Sequence, residues 1–529
     1  MENQINISEI PSINKLVKDY LNKESFVRSF YHQDFNYQNL INQSKEKINN
    51  YLHRETLVYE LSEQLSKIHL SDKQKLNLEK LSLKNTVTIT TGHQLNLMSG
   101  PLFFIYKILH VIKLCDFMNK NQKEIYFVPM FWMATEDHDF EEINHFYFNN
   151  KKIEWKDQFK DYVGEIPTTS LEDVLHPFHE KLKYFPKGRQ LREIIENSYF
   201  TSENLAEATQ KFVHRLFKDY GLLFIDGNSR NLKKLFVPFI KDDIKYQKSF
   251  HEISKTINLL KDNYKIQVNP RNINFFYRDN QERKRIEPVG NKYKIVDTKK
   301  TFSSDEIVKE LDLFPEKFSP NALLRPVYQE VILPNVAYIG GNAEIAYWLE
   351  LKKYFDEQNL IYPILIPRNS VLLLNSIQEK KMQKLDWKGI NIFESKKKII
   401  DSLVNQLSTN KFDLKKYENQ LKNIFNDLIH ESINTDSTWR DMILAQQKKQ
   451  LNGLNKINER FHKAERLKYN EYISNFEKLY MEIFPYNQWQ ERIINFSEYY
   501  ANMGTDFFDL IYSNINEFES VISIVNIDK

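Results

Sequence analysis

Thr86-Val87-Thr88-Ile89-Thr90-Thr91-Gly92-His93-Gln94 reads as a short β-branched strand that ends in a glycine and two polar side chains. An unbroken β-branched run suits a strand buried on both faces of a parallel sheet. From Leu95 the apolar residues Leu102, Ile105, Ile108, Leu109 and Ile112 fall at helical spacing, so a helix is expected to follow and to end near Met118-Asn119. Residues 125–134 form a second apolar run, which stops in Thr135-Glu136-Asp137-His138-Asp139-Phe140-Glu141-Glu142. Strand, helix and strand of this length make a right-handed crossover, and open sheets of such units hold ligands beyond the carboxyl ends of their strands. Gly92, His93 and Gln94 lie at one such end and residues 135–139 at the next, which makes both clusters parts of one expected active site.

Composition limits what that site can serve. At 529 residues the chain is too long for one ordinary core, and two or three structural units are expected. Lys and Arg number 74 against 71 Asp and Glu, a formal net charge of +3, so no long-range field marks a nucleic-acid or membrane binder. Small molecules are the default partner. There is no early apolar segment behind a basic start and no apolar run of bilayer length, so a soluble protein is expected. Cys115 is the one cysteine, which excludes intrachain disulfides and cysteine-ligated zinc and fits a reducing cytoplasm. With only 12 glycines in the chain, Gly92, Gly100, Gly340 and Gly341 stand out.

Outward from the first unit, residues 1–84 read as helices covering one face of the sheet, with Ile13, Leu16, Val17, Tyr20 and Leu21, and then Leu57, Tyr59, Leu61 and Leu65, at helical intervals. Residues 144–155 alternate around Asn149-Asn150 like a hairpin. The next part, to about Phe200, carries Pro167, Pro177 and Pro186 and reads as an insertion of about residues 150–200. A helix over residues 204–220 then leads into an apolar strand, residues 221–228, that again ends in an acid and a turn. Asp226 is thereby placed at a third carboxyl end, with a helix-cap role equally open. Residues 231–262 are helical. A second insertion, about residues 264–330, contains short charged strands, and its basic cluster of Arg271, Arg278, Arg283, Lys284 and Arg285 is read as a solvated strand face in preference to an anion site. Ser303-Ser304-Asp305-Glu306 has the signature of a helix start.

Residues 336–341 repeat the grammar as a strand ending in Gly340-Gly341, and residues 342–359 are expected to form one helix with Glu344, Tyr347, Trp348 and Glu350 near its start. Paired glycines and a helix N-terminus suit an anion. A further strand, residues 362–367, ends at Arg368, where a guanidinium can pair with a carboxylate or phosphate. From Arg368 to Phe484 there is no proline. Trp439, Ile443, Leu451, Leu454, Ile457, Phe461, Ala464 and Leu467 form a narrow apolar stripe there on a charged background. A helix from about Ser437 to Met481 is expected to pair with a first arm, residues 395–433, through a turn at Asn434-Thr435-Asp436, as an antiparallel coiled coil occupying about residues 390–482. Such a seam favours a homodimer over an internal brace. The aromatic tail, residues 485–529, is expected to fold back on a core of residues 1–380.

Thr91-Gly92-His93-Gln94, Ser99-Gly100-Pro101-Leu102 with Ile105-Tyr106-Lys107, Phe131-Trp132-Met133-Ala134-Thr135-Glu136-Asp137-His138-Asp139, Gly340-Gly341 with Glu344-Ile345-Ala346-Tyr347-Trp348, and Pro367-Arg368 together resemble the bacillithiol-biosynthesis cysteine-adding enzymes over essentially the whole chain. The resemblance implies an α/β fold with a Rossmann-type parallel core, two connecting-peptide insertions and a dimerising coiled-coil arm. It also implies addition of cysteine to glucosaminyl-malate. Position 93 departs from the family, which commonly carries Gln-Gln after the first glycine. The family core is similar to the class I aminoacyl-tRNA synthetases, but neither their His-containing nucleotide motif nor their mobile lysine loop is present, so adenylation is an analogy.

Joining a free carboxylate to an amine requires activating the carboxylate and deprotonating the attacking ammonium. Gly92, Ser99, Gly100 and the amides opening the first helix are candidates for phosphate oxygens of ATP or another nucleotide, with His93 donating to developing charge. Gln94, Lys107, Gly340, Gly341, Glu344, Asp226 and Arg368 complete the expected binding set. His138 or Asp139 is the candidate base, tuned by Glu136, Asp137 and Glu141. The alternative is that the acids cap the following helix. Mg²⁺ with nucleotide phosphates suits the carboxylates, while a dedicated protein metal site at His138, Asp139 and His145 is disfavoured. Thiol recognition calls for an apolar pocket near Trp132 or Trp348, both of which also suit core packing. A nucleotide-binding coiled-coil scaffold without turnover is the competing class, and it has no use for the strand-end acids. A tRNA-modifying enzyme would need a basic stripe that the mixed charge of the arm lacks.

Overall fold

Five parallel strands position every candidate residue in the computed structural model, which describes residues 4–157, 159, 161–409, 413–431 and 437–528. They are β1 (Thr86–His93), β2 (Tyr126–Met133), β3 (Leu223–Asp226), β4 (Asn335–Gly340) and β5 (Ile364–Pro367), hydrogen-bonded in the order β5-β4-β1-β2-β3. The chain runs outward from β1 through β2 to β3, returns to the other side of β1 with β4, and ends at β5. The order therefore reverses between β1 and β4, the place where an open α/β sheet forms a ligand crevice. His93 pairs with Met133, Met133 with Asp226, and Gly340 with Pro367, so neighbouring carboxyl ends are flush.

β1, β4 and β5 are buried along nearly their whole length because both faces are covered. The crossover helix α1 (Phe103–Asn121) contributes Val111, Leu114, Cys115 and Met118 to a core shared with Val87, Ile89, Phe127, Val336, Ile339, Ile364 and Ile366. Leu40, from the helix Tyr37–Asn50, joins the same cluster, so the N-terminal helices do cover the sheet. Each such aliphatic side chain contributes about 2 kcal/mol on leaving water.

Helix α1 begins later than the periodicity from Leu95 predicts. Met98, Ser99 and Gly100 have φ of 52°, 65° and 65°, which no right-handed helix accommodates. Gly100 is required there as well by space, since a Cβ would lie 2.8 Å from Asn96 Cβ. The turn is pinned from outside, by Tyr199 accepting from Met98 N at 2.9 Å and Asn495 donating to Met98 O at 2.7 Å.

The first insertion opens with the expected hairpin, His145–Phe148 against Lys151–Glu154, and Asn149 and Asn150 take the left-handed φ values (48° and 57°) that such a tight turn demands. α2 (Arg230–Tyr246) follows β3. The second insertion is a five-stranded antiparallel sheet made of Phe275–Asp279, Glu282–Val289, Lys292–Ile295, Thr301–Ser303 and Phe318–Pro320. Its helix Ser304–Leu313 starts with a Ser303/Glu306 capping box. The single helix expected over residues 342–359 is two, α3 (Asn342–Leu349) and Lys352–Glu357, separated at Glu350 and Leu351.

The chain divides into two compact units, one running to Leu373 and including Gln488–Val525, the other holding Leu374–Asn487. In the first, Gln490 brackets the backbone of Leu373 with two 2.9 Å bonds, and Val521–Asn526 pairs antiparallel with Gln4–Asn6. In the second, the first arm is two helices, α4 (Lys396–Leu407) and α5 (Leu414–Glu431), not one. The expected turn at residues 434–436 lies outside the described residues. The second arm is α6 (Ser437–Lys468), broken at Tyr469 (φ −103°, ψ 23°) from α7 (Asn470–Ile483). α5 packs along α6. α4 is fastened to the end of α6 by an Asp401–Arg466 ion pair, by Ser408 Oγ donating to Glu465 at 2.6 Å, and by Tyr469 OH donating to Leu407 O at 2.8 Å. No helix among the described residues is long and apolar enough to cross a membrane.

Candidate functional site

At the switch point, β1 brings Gly92 and His93 opposite the Gly340-Gly341 end of β4. Lys107, on the second turn of α1, is 2% exposed; its ammonium donates to Gly92 O at 3.0 Å and pairs with Glu344 Oε1 at 2.5 Å. Glu344 also accepts from Tyr338 OH at 2.6 Å and from Gly341 N at 3.2 Å, and Gly341 as the N-cap of α3 brings no side chain of its own. Burial alone would raise the Glu344 carboxyl, but Lys107 and Tyr338 outweigh it and hold the group ionised. His93 packs its ring edge-on to Phe103 at 5.2 Å, and its Nε2 is shielded from solvent without a hydrogen-bond partner. Burial, with the Lys107 and Arg368 charges, pushes its pKa down to about 3, so the ring is neutral at any physiological pH.

Beyond β2 and β3 lies the acidic half. Asp226 accepts from Thr135 Oγ1 and from Asn228 N at 2.8 Å, and burial raises its pKa to about 6. Glu136 meets the fully buried Lys233 of α2, whose Nζ also donates to Phe318 O at 2.8 Å. Asp137 accepts from Gln94 Nε2 at 2.7 Å and from His138 N at 2.8 Å. Its burial works against ionisation, yet the His138 side chain, the bonds from Gln94 and from His138 N, and the Arg283 guanidinium hold it well below the usual carboxylate range. His138 Nδ1 sits between Arg283 Nη1 at 3.1 Å and Asp137 Oδ1 at 3.5 Å. The closer contact uses the ring's lone pair as the acceptor and places its proton on Nε2. Asp139 is exposed, ends no helix by a side-chain bond, and has no hydrogen-bonding partner for its carboxylate among the described residues.

Several expected roles change in this setting. Arg368 is not held ready for a ligand: it is 7% exposed and forms a two-pronged pair with Glu491 at 2.8 and 2.5 Å. Ser99, Gly100 and the start of α1 are not open to phosphate, because Leu102 N donates to Ile494 O at 2.8 Å and Asn495 donates to Gly100 O at 2.5 Å. Trp132 and Trp348 are core residues; Trp132 packs edge-on to Tyr328 at 5.5 Å and Trp348 stacks on Tyr338 at 4.7 Å, so neither lines a thiol pocket. The basic cluster of the second insertion is a solvated face only in part: Arg271 is exposed and the Arg285 side chain is 42% exposed, but two of its members turn inward. Arg278 forks onto Asp161 at 3.0 and 2.6 Å, while Arg283 lies over Phe276 at 4.0 Å and reaches Asp137 and His138. Lys233, Arg325, Tyr338 and Glu491 carried no signal of their own in the sequence, since a lone polar residue within an apolar helix or strand has no periodic signature. Arg283 was named there but assigned to solvent.

The structure thus places all the strand-end candidates along one edge but in two halves, one around β1, β4 and β5 and one around β2 and β3. Gln94 joins them, reaching from the end of β1 to Asp137 and, at 2.7 Å, to Glu142. Among the described residues no cluster of His, Cys, Asp and Glu has the form of a metal site. Fold and site together define a Rossmann-type α/β protein with a charged crevice at its switch point and a helical arm. Residues 1–369 match the model of the bacillithiol biosynthesis BshC N-terminal Rossmann-like domain, and residues 371–527 match that of the BshC C-terminal coiled-coil domain. The chain belongs to the BshC family. It is 41% identical to a protein of Flavobacterium psychrophilum and 39% identical to one of Flavobacterium johnsoniae, each over 97% of both chains, and 35% identical to one of Christiangramia forsetii over 99% of this chain and 98% of that one. All three relatives carry the name "Putative cysteine ligase BshC".

Proposed function

We propose that this chain is a ligase that joins the carboxylate of cysteine to the glucosamine amine of glucosaminyl-malate, the last step of bacillithiol biosynthesis. What carries the reading is the free Asp139 carboxylate, held at the end of β2 beside a His138 already engaged by Arg283, within a family whose curated members are named cysteine ligases. The incoming amine is an ammonium at neutral pH and must lose a proton before it attacks. Asp139 accepts that proton; His138, with its lone pair turned to Arg283, offers an Nε2–H to the developing carbonyl oxygen instead. Neutral His93 has one N–H for the same purpose on the β1 side. Lys107 and Glu344 neutralise each other and fix the Gly92 carbonyl.

A nucleotide such as ATP, arriving with Mg²⁺ on its phosphates, supplies the activation of the cysteine carboxylate. The residues that fit it are Gly340 and the first amides of α3 beyond Gly341, whose own N–H is taken by Glu344 Oε1 at 3.2 Å; the start of α1 does not fit, being covered by residues 494 and 495. The reaction is tested with purified protein, cysteine, glucosaminyl-malate and ATP. Asp139→Ala is expected to lower kcat by about 100-fold or more and His138→Ala by less. Absence of any amide product from the wild type under every nucleotide condition removes the ligase reading, and nucleotide binding without turnover would then favour a scaffold role. A homodimer formed through α5 and α6 belongs to the same proposal.

A further inference from the structure

Gly92 lacks a side chain at a place where the chain itself fills the space. A Cβ there would come within 3.2 Å of Arg325 Nη1 and 3.5 Å of Tyr338 OH. The glycine therefore admits a guanidinium to the β1/β4 switch point. Arg325 opens the helix Arg325–Ile332 that leads into β4, and it is only partly buried. Its Nη1 donates to Gln329 Oε1 at 3.0 Å, its Nη2 to Tyr338 OH at 3.5 Å, and its Cζ lies 5.6 Å from the centre of the Tyr338 ring. Both partners are neutral.

That sets Arg325 apart from the other cations of the crevice. Lys107 has Glu344, and Arg368 has Glu491. No carboxylate among the described residues lies within ion-pair distance of Arg325; the nearest acid it senses is Glu344, already engaged by Lys107, Tyr338 and the Gly341 amide. His93 is neutral. Two cation–carboxylate pairs and one guanidinium without a carboxylate partner leave the switch point with one unpaired positive charge, fixed by neutral hydrogen bonds on a partly buried side chain. A planar fork in that state matches a carboxylate in geometry and charge.

We propose that Arg325 is the carboxylate-recognition residue of the switch-point crevice. The inference rests on the ligase reading only for which acids are at hand: the carboxylate is either that of cysteine or one of the malyl pair. Titration calorimetry decides without turnover. Wild type, Arg325→Gln and Arg325→Lys are titrated with L-cysteine and with L-malate, in the presence and absence of MgATP, with glucosamine as the ligand that has no carboxylate. The expected result is a rise of about 10- to 100-fold in the Kd of one acid in Arg325→Gln, with a smaller rise in Arg325→Lys and no dependence on Arg325 for glucosamine. The acid affected names the carboxylate, and its KM rises more than kcat falls. Should Arg325→Gln fail to fold, Arg325→Lys carries the comparison, because it keeps the charge and loses the fork. Unchanged Kd values for both acids in a folded variant, or no binding of either acid to the wild type, overturn the assignment. A wild type that binds an acid through Arg325 but forms no amide removes the ligase reading and leaves this one standing.

Discussion

Asp226 shows how much a single strand end depends on its surroundings. Burial raises its carboxyl to about 6 even though Thr135 and Asn228 donate to it, with Glu136 and Glu165 adding to the rise. Its pKa in the folded chain is above the unfolded value of 3.8, so the folded state holds the proton more tightly. The stability this group lends is complete below about pH 4 and is lost as pH rises through about 6. Asp226→Asn keeps an Oδ1 to accept both bonds and removes the charge. We expect it to be more stable than wild type at pH 8, by at most about 3 kcal/mol, with the gap closing by pH 4, as read from urea midpoints across that range. A variant less stable at pH 8 would mean that the ionised form is the one the fold requires. Sequence reading found this acid, and Glu136 to Asp139, because each follows an apolar run that ends at the sheet's carboxyl edge. It did not find what neutralises them: Lys233 is 97 residues from Glu136 and Arg283 is 145 from His138, and nothing local in the chain encodes such meetings.

Elements were legible where their signal is local. The Asn149-Asn150 hairpin, the Ser303 capping box and the parallel strands all follow from residues within a few positions of each other. Where a distant segment overrides the local pattern, reading failed. The helix expected from Leu95 gives way to a turn with left-handed residues because Tyr199 and Asn495 take its backbone groups. Residues 488–525 lie in the same compact unit as the sheet, and their part in the site was hidden from sequence reading: Glu491 takes up Arg368, and Ile494 and Asn495 cover the start of α1. The Arg368–Glu491 pair, with side chains 7% and 4% exposed, is buried enough that removing one partner leaves a charge without compensation. Glu491→Gln should therefore cost about 3–5 kcal/mol in urea unfolding, whereas the double change Arg368→Met with Glu491→Leu should cost much less. A single variant as stable as wild type would show that the tail is held by its apolar contacts alone.

At the scale of the whole chain, two arrangements could be anticipated and a third could not. The recurring unit of apolar strand, polar end and helix marks a parallel sheet, and the proline-free stripe marks a helical arm. Strand order is set by crossover packing and has no trace in composition, so the division of the edge into two charged halves, with outer strands about 19 Å apart at the usual spacing, had to come from the structure. The arm carries the remaining prediction. Trp439, Met442, Ile457 and Leu467 on α6 are 51, 52, 54 and 70% exposed, and Ile424 and Leu428 on α5 are 57 and 42% exposed. Scattered apolar side chains need no explanation, but these follow the stripe that a coiled coil would bury, and Phe425 and Ile443 already occupy the inner seam at 8 and 6%. A second copy offers the same stripe in return, which suits the self-complementary contact of a two-fold dimer. Sedimentation velocity at micromolar concentration should show a dimer for the wild type and a monomer for Trp439→Glu with Ile457→Glu. Because both positions are solvent-exposed in the single chain, the helicity of the variant should be unchanged. A wild type that remains monomeric at every concentration would assign the exposed stripe to some other surface.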